Sequence, residues 1–189
     1  IRGETGLALE RPRSIEEHRD LLRRVALAAD QMTHRVDDLL LLAQAEAGDR
    51  PPLSDDIEVD GLVLETVDLM RGRAQAIGHH LELGEMDGVE VLGDEGLLRE
   101  AALELLENAC RHGSTDAPIR VMVRSSGNEA RLEVVNAGAA VAPGEGTGQG
   151  LAIVRWIAMA HGGSLQYTHQ GRTNLFRLTM PVIHRPMDD

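Results

Sequence analysis

Aromatic residues are nearly missing from this sequence: one Trp, one Tyr and one Phe make up 2% of 189 residues. A core must therefore be assembled from Leu, Val, Ala, Ile and Met, and an apolar content of 42% is enough to build one. Cysteine is reduced to Cys110 alone. That excludes an internal disulfide and a multi-cysteine metal site, and it suits a reducing compartment. Positive charge is short as well, with 19 Lys and Arg against 31 Asp and Glu and a net charge of −12. Such a balance excludes a general nucleic-acid binder or a binder of anionic membranes, either of which needs excess basic residues. No apolar run approaches the ~20 residues that span a bilayer. The chain opens on Ile1 rather than Met. We read it as a fragment whose membrane attachment, where there is one, lies upstream.

What is present falls into two parts. Residues from Ile1 to about Glu10 read as the end of a helix stopped at Arg11-Pro12-Arg13. Ser14 offers an N-cap, and Glu17 completes a capping box. Apolar positions then fall at Leu22, Val25, Ala29, Met32, Val36, Leu39 and Ala43, in steps that alternate three and four. That heptad seam predicts a long helix in a coiled coil or bundle. Gly48 and Pro51-Pro52 end it as a linker. A hairpin of this size buries its seam by dimerising into a four-helix bundle. Residues 1–48 are therefore assigned as a dimerisation hairpin and residues 53–189 as a second domain.

In the second part the spacing predicts a helix over about Asp60–Ile77 with Gly78 as terminator, and strands at His80–Leu83 and Val89–Leu92. Asp94 caps a second helix that runs to about His112. Strands at Ile119–Arg124 and Ala130–Val135 flank a turn at residues 126–128. A third helix, Gly150–Ala160, ends at Gly162-Gly163, and strands near Leu165–Thr168 and Leu175–Pro181 close the domain. Strand pairs mixed with three helices predict an α+β fold with helices on one face of a mixed sheet.

Three stretches carry chemistry. Glu104-Leu105-Leu106-Glu107-Asn108-Ala109-Cys110-Arg111-His112-Gly113 lies late on a helix, and Val134-Val135-Asn136-Ala137-Gly138 leaves a strand. Gly146-Thr147-Gly148-Gln149-Gly150-Leu151 is a glycine-rich turn opening a helix. Glycines there let backbone amides approach phosphate oxygens, and the helix N-terminus adds partial positive charge. Alone, such a turn is as often a plain packing turn.

In order and spacing the three stretches resemble the N box and the two glycine boxes of the ATP-binding domain shared by histidine kinases, gyrase, Hsp90 and MutL. The ending Ala160-His161-Gly162-Gly163 looks specifically like a histidine kinase. Ile1-Arg2-Gly3-Glu4 and Val36-Asp37-Asp38-Leu39-Leu40-Leu41-Leu42-Ala43 look like the dimerisation hairpin beyond the H-box of the same family. The resemblance implies a helical hairpin, forming a four-helix bundle on dimerisation, followed by a two-layer α/β sandwich of the histidine kinase ATP-binding type. It implies ATP and Mg²⁺ as ligands, a homodimer, a response regulator receiver domain as partner, and a cytoplasmic location beneath an inner-membrane anchor. By position Asn108 would hold Mg²⁺ through its side-chain oxygen. Asn136, Gly138, Gly146, Thr147, Gly148, Gly150 and Leu151 would line the nucleotide site. Arg111 would reach phosphate oxygens, or else is a surface residue near a helix end. Glu104 faces the same side of its helix as Asn108, where related ATPases have a water-polarising Glu; it is either such a base or an ordinary polar residue. Cys110 reads as a small buried apolar residue.

Three departures qualify the resemblance. Asn136 stands where the family usually has Asp, so any hydrogen bond to adenine loses its charge-assisted part. Only Ala137 to Glu145 separates Asn136 from Gly146, and this stretch lacks the family's aromatic box. No H-box is present: the phospho-accepting His would lie before Ile1, and His18 and His34 read as polar residues of the second helix. Three functions remain open at this point: a histidine kinase core, a degenerate kinase acting as a dimeric scaffold, and an ATPase of the wider superfamily.

Overall fold

A computed structural model describes residues 15–48, 51–140 and 148–183; at 27, 30, 31, 34, 35, 37, 38, 46, 148 and 149 it describes the backbone alone. The chain divides into two compact units, with the division after Gln44. The first Arg-Pro-Arg turn, the Ser14 cap and the first arm of the expected hairpin lie outside the described residues.

The heptad seam forms helix α1, Ile15–Ala47. Its apolar positions stand open within the single chain: Leu22 is 66% exposed, Met32 59%, Val36 55% and Leu39 55%. An isolated helix gains nothing from such a stripe, whereas burying it on another helix stabilises by roughly 1.5–3 kcal/mol per large side chain.

The second unit is a two-layer α/β structure, as the resemblance implies. It runs β1 (Asp55–Glu58), α2 (Val59–Ala76), β2 (Leu81–Met86), β3 (Glu90–Gly93), α3 (Glu95–His112), β4 (Ile119–Ser126), β5 (Glu129–Ala137), α4 (Gly148–Ala160), β6 (Ser164–Gln170) and β7 (Thr173–Pro181). Five strands form one sheet in the order β2-β4-β5-β7-β6. Only β2 and β4 pair in parallel; the remaining pairs are antiparallel. The strand β1 escapes sequence reading, because its Asp55-Asp56-Ile57-Glu58 has a single apolar residue. It pairs antiparallel with β3 in a separate two-stranded ribbon, with Ile57 opposite Val91. β3 therefore belongs to that ribbon and not to the main sheet.

Alternation along the strands sends Val121, Val123, Leu132, Val134, Phe176 and Leu178 inward, all at 2% exposure or less. Helix α2 meets them with Leu62, Val63, Val67 and Met70, α3 with Leu98, Leu105 and Leu106, and α4 with Ile153, Val154 and Ile157. This core is aliphatic, as the composition requires. Phe176 is its one buried aromatic ring, stacked on Tyr167 with centroids 4.9 Å apart.

The punctuation works as its chemistry dictates. Asp94 accepts a hydrogen bond from the Leu97 N–H at 2.9 Å, capping α3. Gly78 follows α2 at φ 85° and Gly162 follows α4 at φ 71°, conformations that suit a residue without a Cβ.

Candidate nucleotide site

The site is built where α3, the end of β5 and the start of α4 converge. Glu104 and Asn108 are one turn apart on α3. A Cβ added at Gly150, in the first turn of α4, would run into the Glu104 carboxylate. That contact fixes which side of α3 faces the glycine-rich helix start.

Asn108 lies one turn further along this face. It is 4% exposed, and both its Oδ1 and Nδ2 are buried without a hydrogen-bond partner. An unsatisfied buried polar atom costs about 1–3 kcal/mol, so a folded protein rarely keeps two on one side chain unless something else binds them. An amide oxygen is a hard donor of the kind Mg²⁺ takes, with water and phosphate oxygens completing the shell. The residues present therefore fit the metal that the resemblance implies.

Asn136, at the end of β5, shows the same signature. Its Nδ2 donates to the Ala137 carbonyl at 3.2 Å, while its Oδ1 is buried without a partner. Because that carbonyl can only accept, the amide is oriented: its oxygen is the free atom. It is thus an acceptor available to an exocyclic amine. Close by, a Cβ at Gly138 would come 2.6 Å from the His112 carbonyl oxygen, so only glycine lets this turn lie on the end of α3. Sequence reading took His112 for a helix end, yet its Nε2 is also buried without a partner.

Arg111 follows Asn108 by three residues and so keeps to this side of α3. Arg111 is half-exposed, and its ion pair is a loose one with Glu107 at 3.9 Å. Gly148 and Gly150 stand in the first turn of α4 and Leu151 is half-buried beside them, while Gly146 and Thr147 lie outside the described residues. Cys110 is buried, and desolvation pushes its thiol up to about 11, so it behaves as the small apolar residue expected. Among the described residues no cluster of three metal-ligating side chains occurs.

The Ala-His-Gly-Gly ending of α4 has a physical explanation. The ring of His161 is buried, with Nδ1 2.8 Å from the Ile157 carbonyl and Nε2 accepting from the Asp94 N–H at 3.1 Å. Those partners require the neutral ring with its proton on Nδ1. Gly93 makes room for it, since a Cβ there would stand 2.9 Å from the ring. His161 thereby ties the far end of α4 to the start of α3. Its pKa is lowered, chiefly by burial, against smaller opposing effects of the Ile157 carbonyl and the Asp94 charge. Below the unfolded value near 6.5 the unfolded chain takes up a proton that the native state resists. Stability is therefore full above about pH 6.5 and lost as pH falls toward the folded value. Thermal melts between pH 7.5 and 5 should show this slope, and His161→Leu should be less stable at pH 7.5 and flatter across the range. An unchanged slope in His161→Leu would assign the acid sensitivity elsewhere.

Comparison with known proteins agrees with this fold. Residues 93–184 match the family described as histidine kinase-, DNA gyrase B- and HSP90-like ATPases. The sensor histidine kinase CusS of Escherichia coli K12 is 30% identical over 95% of this chain and 41% of its own length. The sensor-like histidine kinase SenX3 of Mycolicibacterium smegmatis is 28% identical over 88% of this chain and 50% of its own. The chain thus spans half or less of these curated relatives. Among solved structures, the Acinetobacter baumannii histidine kinase AdeS superposes with a TM-score of 0.77 at 18% identity, covering 97% of this chain and 93% of that one. Full-length ShkA, solved with AMPPNP, gives 0.73 at 23% identity over 91% of this chain and 40% of that one. Residues 93–184 thus carry a domain of the histidine kinase-, DNA gyrase B- and HSP90-like ATPase type, and along most of its length the chain is similar to bacterial sensor histidine kinases.

Proposed function

We propose that this chain is the dimerising and ATP-binding core of a sensor histidine kinase. In this reading the γ-phosphoryl group of ATP leaves ADP and joins the nitrogen of a histidine that precedes Ile1. It then passes to an aspartate of a response regulator receiver domain. The observation that carries the reading is the buried, partnerless amide of Asn108, one turn from the carboxylate that meets the start of α4.

Each group has a task in this proposal. Asn108 holds Mg²⁺ through Oδ1, and the metal supplies charge neutralisation for the triphosphate when bound. Backbone amides at the start of α4, with Gly146, Thr147, Gly148, Gly150 and Leu151, cradle phosphate oxygens. Asn136 accepts a hydrogen bond from the adenine amino group, and Gly138 keeps its turn close to α3. Arg111 contributes charge at the rim. Glu104 is the candidate proton acceptor beside the phosphates. The open apolar stripe of α1 supports a homodimer, in which a second copy covers Met32, Val36 and Leu39. Consumption of ATP puts the core on the cytoplasmic side. Among the described residues no helix is long and apolar enough to cross a membrane itself.

Phosphoryl transfer needs mainly positioning and electrostatics, both of which this site can offer. With a neutral Asn136 in place of an acid, binding should be weak, with a dissociation constant of roughly tens to hundreds of micromolar. Calorimetry of the chain with ATP, with and without Mg²⁺, tests it. Metal-dependent heat in that range supports the kinase core. Absence of binding at millimolar nucleotide would leave a dimeric scaffold as the function.

A further inference from the structure

The turn that follows β5 is tied down more heavily than its sequence suggests. The Ala137 carbonyl accepts from the Ser114 N–H at 2.6 Å as well as from Asn136 Nδ2, and the Gly138 N–H donates to the Arg172 carbonyl at 2.8 Å. Two residues beyond Ala137, the Ala139 carbonyl accepts from Nδ2 of Asn174 at 3.1 Å. Three consecutive residues are thus held by three separate parts of the chain: the loop after α3, the β6–β7 turn, and β7.

Asn174 is the side chain in this arrangement, and nothing in the sequence motifs points to it. It is 0% exposed and stands directly opposite Asn136 in the β5–β7 register. Its Oδ1 accepts from the Tyr167 hydroxyl at 2.8 Å and lies 2.9 Å from Nδ1 of His169. Its orientation is not free. A flipped amide would set its oxygen against the Ala139 carbonyl, two acceptors face to face. Oδ1 therefore points to β6, and Nδ1 of His169 carries a proton. With both acceptor sites and one donor used, Asn174 has little left to offer a ligand. It can act only through what it holds.

What it holds is the turn that orients Asn136. We propose that Asn174 is a positioning residue for nucleotide base recognition, clamping the Ala137–Ala139 turn to β7 with Tyr167 and His169 as its anchors, so that the buried Oδ1 of Asn136 keeps its aim. This rests on the nucleotide reading given above and adds a residue that does not touch the nucleotide. Removing the clamp should cost affinity for the base and not for the phosphates, which lie with Asn108 and α4.

The test compares Mg²⁺-dependent binding of ATP and of inorganic tripolyphosphate, which has no base, by calorimetry on the full chain. Asn174→Ala should weaken ATP about tenfold and leave tripolyphosphate within about twofold, both measured well below the melting temperature. Tyr167→Phe keeps the ring on Phe176 and removes one donor, so it should give a smaller loss in the same sense; it stands in should Asn174→Ala fail to fold. In a double-mutant cycle, Asn136→Ala should add little to Asn174→Ala, because one acts through the other. A merely structural role would lower both ligands equally, or give additive losses, or leave ATP affinity untouched; each of these overturns the proposal. Tripolyphosphate binding by the unmodified chain without added affinity for ATP also overturns it, while binding of neither ligand removes the nucleotide reading itself.

Discussion

Replacing Gly163 with alanine should cost this domain about 3 kcal/mol, the upper part of the range for overpacking a fixed backbone contact. A Cβ at Gly163 would fall on the Thr179 carbonyl oxygen, with the Met180 Cα 3.1 Å away. Neither neighbour is a side chain that can turn aside. Both belong to β7, which is paired to β5 along nine residues and to β6 along seven. The loss should appear as a melting temperature lower by roughly 6–12 °C. Gly72→Ala supplies the contrast: Gly72 is exposed inside α2, with nothing within 4 Å of an added Cβ. There alanine should stabilise by about 0.5–1 kcal/mol through helix propensity. Equal melting temperatures for the two variants would mean that the close approach at Gly163 is not real.

Asn108→Ala should give the opposite combination, an intact or slightly more stable protein that no longer binds nucleotide through metal. Its two buried polar atoms have no partners, so deleting them removes a desolvation penalty and offsets the small cavity left behind. We expect stability without ligand to stay level or rise by up to about 1 kcal/mol. Mg²⁺-dependent ATP affinity should fall by at least tenfold, equivalent to about 1.4 kcal/mol. Calorimetry and thermal melting on the same preparations read both effects. Metal-dependent affinity that survives in Asn108→Ala would remove Asn108 from the site. A large loss of stability would show its amide to be structural.

The two sites differ in how far they could be read from sequence. Gly162-Gly163 and His161 were visible as a motif because the backbone and ring contacts there demand those residue types in one short run. Asn108 was visible through its position on the helix that bears Glu104, and Asn136 through the glycine two residues on. Asn174, Tyr167 and His169 were not. Their relation depends on the antiparallel register of β6, β7 and β5, and period-two alternation alone does not say which strand lies beside which. Placing Asn174 opposite Asn136 would have required that register first. The strand β1 was missed for the opposite reason: two aspartates and a glutamate around Ile57 carry no strand signal, and pairing with β3 is what makes it a strand. Arg111, three residues beyond Asn108 on α3, is half-exposed and only loosely paired with Glu107, so its helix position is the one sign that points to the site.

The site residues also come from distant parts of the chain. The bond between Asp94 and His161 spans 67 residues, and the one between Asn174 and Ala139 spans 35. The hairpins β4–β5 and β6–β7 are local and can form early, since short loops cost little entropy to close. Neither contains a complete nucleotide site. The turn that carries Asn136 is fully pinned only once β7 has paired with β5, a non-local pairing whose closure must precede its reward. Nucleotide would then bind the finished domain and none of its folding intermediates. ATP in excess of its dissociation constant would favour the last docking step by mass action, making the ligand a late stabiliser of its own receptor.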